Sequence, residues 1–145
     1  MSWLLLQVDG TPGFPPSGVA GLGIVVRGAR GHVLHTRTLR APAATCNEAE
    51  YQALIAGLSF VHQRYPACAV RCHSDSRVVV DQLTGRCAVR AGPLQPLYAE
   101  ALALVGLFPD IELLAIPREL NRLADALAWE ALGGRTTLIR FQKRT

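Results

Sequence analysis

The sequence predicts an α/β fold, a mixed five-stranded sheet (three strands antiparallel, two parallel) with helices on both faces. Three observations predict it. An apolar run, residues 3–9, stops abruptly at an acid, as a strand buried on both faces does. Two β-prone segments, Val19–Val26 and His32–Leu39, flank the turn-forming Arg27-Gly28-Ala29-Arg30-Gly31 and read as a hairpin. From Thr45 onward, helical and strand-like segments alternate, giving the order βββαβααβα and a sheet covered by helices.

Each element has a local warrant. Between the first two strands, Gly10, Pro12, Gly13, Pro15, Pro16 and Gly18 require a loop. The first helix carries Tyr51, Leu54, Ile55, Leu58 and Val61 on one stripe. Thr45 and Glu48 have the spacing of a capping box, and Pro66 ends the segment. Ala69–Ser74 reads as a strand and Asp75–Leu83 as a helix, although Val78, Val79 and Val80 are poor helix formers and need tertiary support. Pro93 suits the first turn of a helix reaching Leu107. Ile111–Ile116 is the fifth strand, and Asn121 is placed to cap a last helix with Leu123, Leu127 and Ala131 inward. The chain reads as one domain, residues 1–145, with a basic tail over 135–145.

Composition narrows the function. Half of the 145 residues are hydrophobic and 18% are charged, which excludes a disordered or low-complexity chain. No apolar run has the length of a membrane span, and the N-terminus lacks the basic region of a signal peptide, so a cytoplasmic protein that avoids membranes is expected. A net charge of +4 and a pI near 9.2 suit a polyanionic partner. The basic residues gather at Arg27, Arg30, Arg37 and Arg40 and in the tail at Arg135, Arg140, Lys143 and Arg144. Cys46, Cys68, Cys72 and Cys87 contain no Cys-x-x-Cys spacing, so idle thiols are expected rather than zinc ligands. His32, His35, His62 and His73 show no catalytic spacing, and Trp3 and Trp129 read as core or interface.

Four acids fall at element termini: Asp9 at the end of the first strand, Glu50 in the first turn of the first helix, Asp75 where the fourth strand meets its helix, and Asp125 at the start of the last helix. Singly, each has an ordinary explanation as a helix-dipole partner, a cap or a turn residue. Together, carboxylates brought from distant segments to element ends are candidates for one metal-binding cluster. The capping box already accounts for Glu48, whereas nothing local accounts for Glu50.

At this point the residues resemble a known family. Val8-Asp9-Gly10, Thr45-Cys46-Asn47-Glu48-Ala49-Glu50-Tyr51, His73-Ser74-Asp75-Ser76 and Pro117-Arg118-Glu119-Leu120-Asn121-Arg122-Leu123-Ala124-Asp125 resemble, in order, the four motifs of type 1 ribonuclease H, in the compact archaeal-type branch without a basic protrusion. The resemblance covers essentially residues 3–132. It implies the ribonuclease H-like fold and an endonuclease that cuts the RNA strand of an RNA–DNA hybrid, leaving 5′-phosphate and 3′-hydroxyl ends. It implies that Asp9, Glu50, Asp75 and Asp125 hold two Mg²⁺ or Mn²⁺ ions. It places Arg118 where many bacterial members have a His. An Arg cannot be a general base near neutral pH, so its expected part is electrostatic stabilisation or metal-product exchange, or else that of a phosphate-positioning or surface Arg. Substrate contacts carry over to Gly10, Thr11, Thr45, Cys46, Asn47, Ser76, Arg77 and Asn121, and a monomer is expected.

The departures concern the substrate. Cys46 replaces an Asn that helps contact 2′-hydroxyls, and Arg77 replaces a common Gln. The Pro-rich loop Thr11–Gly18 is long. These changes imply looser discrimination, with double-stranded RNA as a further substrate. Leu83–Pro93 is too short for a basic protrusion, which leaves Arg86, Arg90 and the tail to hold the hybrid. Two other readings use the same fold. A non-catalytic nucleic-acid-binding module would have no reason to keep four unpaired acids. A 3′–5′ exonuclease of the wider superfamily usually carries Asp-x-Glu on the first strand, where this chain has Asp9-Gly10-Thr11.

Overall fold

The alternation of apolar residues and turns resolves into one five-stranded sheet. The computed structural model describes residues 3–14 and 17–133; the tail, with Arg135, Arg140, Lys143 and Arg144, lies outside the described residues. β1 (Trp3–Pro12), β2 (Val19–Arg27) and β3 (Val33–Pro42) form an antiparallel meander. α1 (Cys46–Arg64) then crosses to β4 (Ala69–Ser74), which lies parallel to β1. α2 (Arg77–Leu83) and α3 (Gln95–Val105) lead to β5 (Ile111–Ala115), parallel to β4, and α4 (Arg122–Ala131) closes the order. Across the sheet the strands run β3-β2-β1-β4-β5, three antiparallel and two added in parallel, as the sequence predicts.

Alternation along the strands assigns the helices to faces. Leu6 and Val8 of β1 lie under Gly57 of α1, whereas Gly21 and Gly23 of β2 lie under Ala128 and Ala124 of α4. In the β1–β2 register Gly23 is opposite Asp9 and Leu22 opposite Gly10. α1 and α4 therefore cover opposite faces. The core fills the α1 side, with Leu6, Val8, Leu22, Ile24, Tyr51, Leu58 and Val61 almost completely buried. Tyr51 donates from its hydroxyl to Gln82 Oε1 at 2.6 Å, fastening α1 to α2. Val79 packs into this core and Val80 is also buried, so Val79 at least gains the packing that its low helix propensity demands.

The capping box at Thr45 forms. Glu48 N donates to Thr45 Oγ1 at 3.1 Å, and the Glu48 carboxylate accepts from Ala44 N at 3.0 Å. Several local expectations need correction. β1 does not end at Asp9; it continues to Pro12 because the ladder with β2 runs on through Pro12↔Ala20, and the loop is correspondingly shorter. Glu50 is the fifth residue of α1, just past its first turn. Asp75 stands outside α2, whose cap is Ser76, with its hydroxyl accepting from Val79 N at 3.3 Å. Pro93 belongs to a 3-10 turn, Gly92–Leu94, that precedes α3. In α4, Leu123 points outward and Ala124 and Ala128 face the sheet, because only small residues fit where the helix rests on two glycines. The segment between α2 and that 3-10 turn forms neither helix nor strand. All four cysteines are free, and burial pushes the Cys72 thiol up to about 12. No helix among the described residues is long and apolar enough to cross a membrane.

Candidate active site

The acids meet where the sheet forks. β1 pairs with β4 only as far as Val8↔Ser74, while its pairing with β2 continues beyond Asp9. Past Ser74 the chain turns into α2, with Ser76 N donating to Ser74 Oγ at 3.0 Å. This opens a crevice at the carboxyl ends of the two parallel strands, the usual place for a ligand in a sheet of this kind. Asp9 projects into the crevice from one side and Asp75 from the other.

Two glycines set how closely the helices approach. A Cβ on Gly10 would overlap the backbone carbonyl of Ala49, so its absence lets the start of α1 lie directly on β1. Glu50 then accepts a hydrogen bond from Gly10 N at 3.0 Å. A Cβ on Gly23 would overlap the carbonyl of Ala124; α4 settles against β2 there, and the next residue, Asp125, reaches the Asp9 side chain.

Carboxylate oxygens of Asp9, Glu50 and Asp75 all lie within 4.8 Å of one another, and Asp125 adjoins them through Asp9. Asp9 is buried. Burial, and next the charge of Glu50, push its carboxyl far above the ordinary carboxylate range. Burial, with the Asp75 charge second, also raises Glu50, against a lowering by the Gly10 N–H. Unneutralised carboxylates packed this tightly favour shared protons or a cation.

Asn121 corrects one expectation. It makes no side-chain cap to α4, and it is 2% exposed. Its Nδ2 donates to Val8 O at 2.8 Å and approaches Asp75 Oδ2 at 3.4 Å. It therefore ties the start of α4 to β1 beside the acids. Its Oδ1 is buried without a hydrogen-bond partner among the described residues. An all-oxygen donor set with an unmet acceptor next to it suits a hydrated hard cation such as Mg²⁺.

The remaining predicted residues distribute around this centre. Arg118 is exposed in a 3-10 turn, Arg118–Leu120, and shares an open hollow with Glu119, Arg122 and Asp125. Arg122 was not expected here, although it stands three residues before Asp125 and so on the same side of the helix start. Cys46 and Thr45 are exposed and Asn47 is half-buried at the N-terminus of α1. Ser76 is half-buried and Arg77 exposed at the N-terminus of α2. Gly10 is buried and Thr11 half-buried in β1. Trp129 is 40% exposed and, with Phe14 and Leu132, lines an apolar hollow beyond the C-terminal half of α4.

Comparison with known proteins agrees with this geometry. Residues 8–131 match the family model described as reverse transcriptase-like. The bifunctional protein Rv2228c of Mycobacterium tuberculosis is 36% identical over 130 residues, 89% of this chain and 35% of that protein. The chain thus spans about a third of the length of these curated relatives. The solved N-terminal RNase H domain of Rv2228c superposes with a TM-score of 0.82 at 36% identity, covering 92% of this chain and 95% of that one. RNase H1 from Halobacterium salinarum gives a TM-score of 0.84 at 32% identity, with 90% of this chain and 98% of that one covered. LC11-RNase H1, isolated from compost and solved in complex with an RNA/DNA hybrid, gives 0.80 at 30% identity over 88% and 95%. With four motif acids gathered at the fork of a 3-2-1-4-5 sheet and relatives matched along nearly their whole domain, the chain belongs to the type 1 ribonuclease H family.

Proposed function

We propose that this chain is an endonuclease that hydrolyses the RNA strand of RNA–DNA hybrids, with a pair of Mg²⁺ or Mn²⁺ ions held by Asp9, Glu50, Asp75 and Asp125. The observation that carries the reading is the convergence of Asp9, Glu50 and Asp75 to within 4.8 Å from three separate elements. Two divalent ions supply activation of a water and stabilisation of the leaving 3′-oxygen in reactions of this class. The protein's own part is positional. Asp9 and Glu50 are fixed by the close approach of α1 at Gly10, Asp125 by that of α4 at Gly23, and Asp75 by the Asn121 amide. The Arg118 guanidinium stabilises negative charge accumulating on the phosphate.

Selectivity rests on the N-terminus of α1. Asn47 remains there to meet a 2′-hydroxyl while Cys46 is a weak donor in place of an amide. With Arg77 adding phosphate affinity at α2, we expect double-stranded RNA to be cut as well as hybrid. The test is an end-labelled hybrid, double-stranded RNA and duplex DNA incubated with Mg²⁺, Mn²⁺ or EDTA, beside Asp75→Asn. Internal, metal-dependent cuts in the RNA of the hybrid, lost in the variant, are the expected result. A ladder of mononucleotides would instead identify an exonuclease, and binding without cleavage a non-catalytic module.

A further inference from the structure

Charge in this chain is segregated. Of the eleven acids, only Asp9, Glu48 and Glu50 precede Asp75, so residues 10–47 and 51–74 contain none. Those two stretches build β2, β3 and nearly all of α1 and β4, and their charged residues are Arg27, Arg30, Arg37, Arg40, Arg64 and Arg71. Several of these are engaged within the protein. Arg27 donates to Gln7 Oε1 and Gly31 O, Arg40 to Ala131 O, and Arg71 pairs with Glu112 at 2.8 Å.

Arg37 on the edge strand β3 and Arg64 at the end of α1 differ. Their guanidinium carbons lie 4.8 and 5.3 Å from the centroid of one ring, that of Phe60. Neither has a hydrogen-bond or ion-pair partner among the described residues, and both are exposed. His35 stands edge-on to the same ring at 5.2 Å and bonds to the Tyr65 hydroxyl at 2.8 Å. One cation on a ring is enough to fasten an edge strand to a helix, and is worth about 0.5–1 kcal/mol at an exposed site. A second like charge on that ring adds repulsion, and no acid among the described residues pairs with either guanidinium to offset it. The arrangement is instead suited to grip an anion, since planar guanidiniums on an aromatic support are pre-organised for phosphate oxygens.

We propose that Arg37 and Arg64, held on Phe60, form a second nucleic-acid contact that binds backbone phosphates outside the catalytic crevice. Phe60 is ten residues beyond Glu50 on α1, which places the patch on the order of 15 Å from the acids along the helix axis. A longer duplex or a flanking strand would then gain affinity that a short substrate confined to the crevice does not. The inference rests on the proposed function only for the identity of the polyanion, and it does not require catalysis.

The experiment is fluorescence anisotropy of a labelled hybrid in EDTA over a salt series. It compares the wild type with the double variants Arg37→Gln/Arg64→Gln and Arg37→Lys/Arg64→Lys, their folding checked by circular dichroism. Each lost phosphate contact reduces the slope of log K against log salt by about 0.9, so the Gln pair should lose roughly 2 in slope and about tenfold in affinity near 0.1 M salt. The Lys pair should keep most of the slope. An unchanged slope in the Gln pair would overturn the proposal. So would equal losses of affinity in both pairs at wild-type slope, which would reveal a purely structural ring contact. Competition by polyglutamate as effective as that by nucleic acid would also overturn it, in favour of an acidic protein partner. Parallel assays of hybrid cleavage in Mg²⁺ separate the two readings. Absent cleavage with the slope loss intact removes the nuclease and keeps this surface, and the converse result removes only the surface.

Discussion

Replacing Asp9 by Asn should stabilise the metal-free protein, although it removes a residue at the centre of the site. Asp9 is 5% exposed, and burial, then the charge of Glu50, push its carboxyl up to about 10 from an ordinary 3.8. The folded chain therefore retains a proton that the unfolded chain releases near pH 4. Each pH unit between those values favours the unfolded state by about 1.4 kcal/mol, a cost absent below pH 4 and growing as pH rises. At pH 7 the limit for this one group is about 4 kcal/mol. Glu50 shares the same repulsion, so a realised gain of about 2–4 kcal/mol is expected in Asp9→Asn, on the order of 10 °C in Tm for a chain of this size. Asn keeps the shape, needs no proton and can still donate toward Asp125. The assay is urea unfolding in EDTA at a series of pH values from about 4 to 8. The advantage of the variant should vanish toward pH 4 and widen toward pH 8, and added Mg²⁺ should stabilise the wild type more than the variant. Equal stabilities at neutral pH, or an advantage independent of pH, would refute the account of the carboxylate cluster as an electrostatic strain.

Other substitutions test positioning and charge. Gly23→Ala and Gly21→Ala each force a Cβ into an α4 carbonyl, of Ala124 and Ala128 respectively, and each should cost about 1–3 kcal/mol in unfolding experiments. Only Gly23 lies beside Asp125, so Gly23→Ala should weaken Mg²⁺ binding by calorimetry and lower kcat well beyond Gly21→Ala. Asn121→Ala leaves Val8 O without its side-chain donor and should cost about 1–3 kcal/mol in urea. Asn121→Asp should be worse at neutral pH than at acid pH, since it sets another carboxylate against Asp75. Arg118→Ala should lower kcat on hybrid by about 10- to 100-fold with little change in KM, and Arg118→Lys should recover part of it; a change confined to KM would make Arg118 a phosphate-positioning residue.

How much of this was legible in the sequence depended on whether the signal was local. The start of α1 was, because Thr45 and Glu48 both cap it locally, Thr45 Oγ1 accepting from Glu48 N and the Glu48 carboxylate from Ala44 N. So were the hairpin around Gly28–Gly31 and the inward stripe from Tyr51 to Val61. The identity of the acids was legible too, but through the order of four motifs rather than through periodicity, which does not separate Glu48 from Glu50. What failed was set by tertiary approach. Leu123 looked inward by pattern, yet α4 rests on Gly21 and Gly23, and a helix lying that close admits only Ala124 and Ala128. Asn121 looked like a cap by residue type, yet a backbone carbonyl of β1, 113 positions away, and the neighbouring Asp75 were competing acceptors. The same glycines that spoiled the helical pattern are what bring Asp125 to Asp9. A glycine in a strand and an alanine face on a helix carry little hydrophobic signal separately, and their meaning emerges only when the strand and helix are known to touch. In this fold the weakest stretches of pattern are thus the ones that build the site: small residues permit the close approach that stronger packing residues would prevent, and the crowding of carboxylates that follows is what a bound cation would relieve.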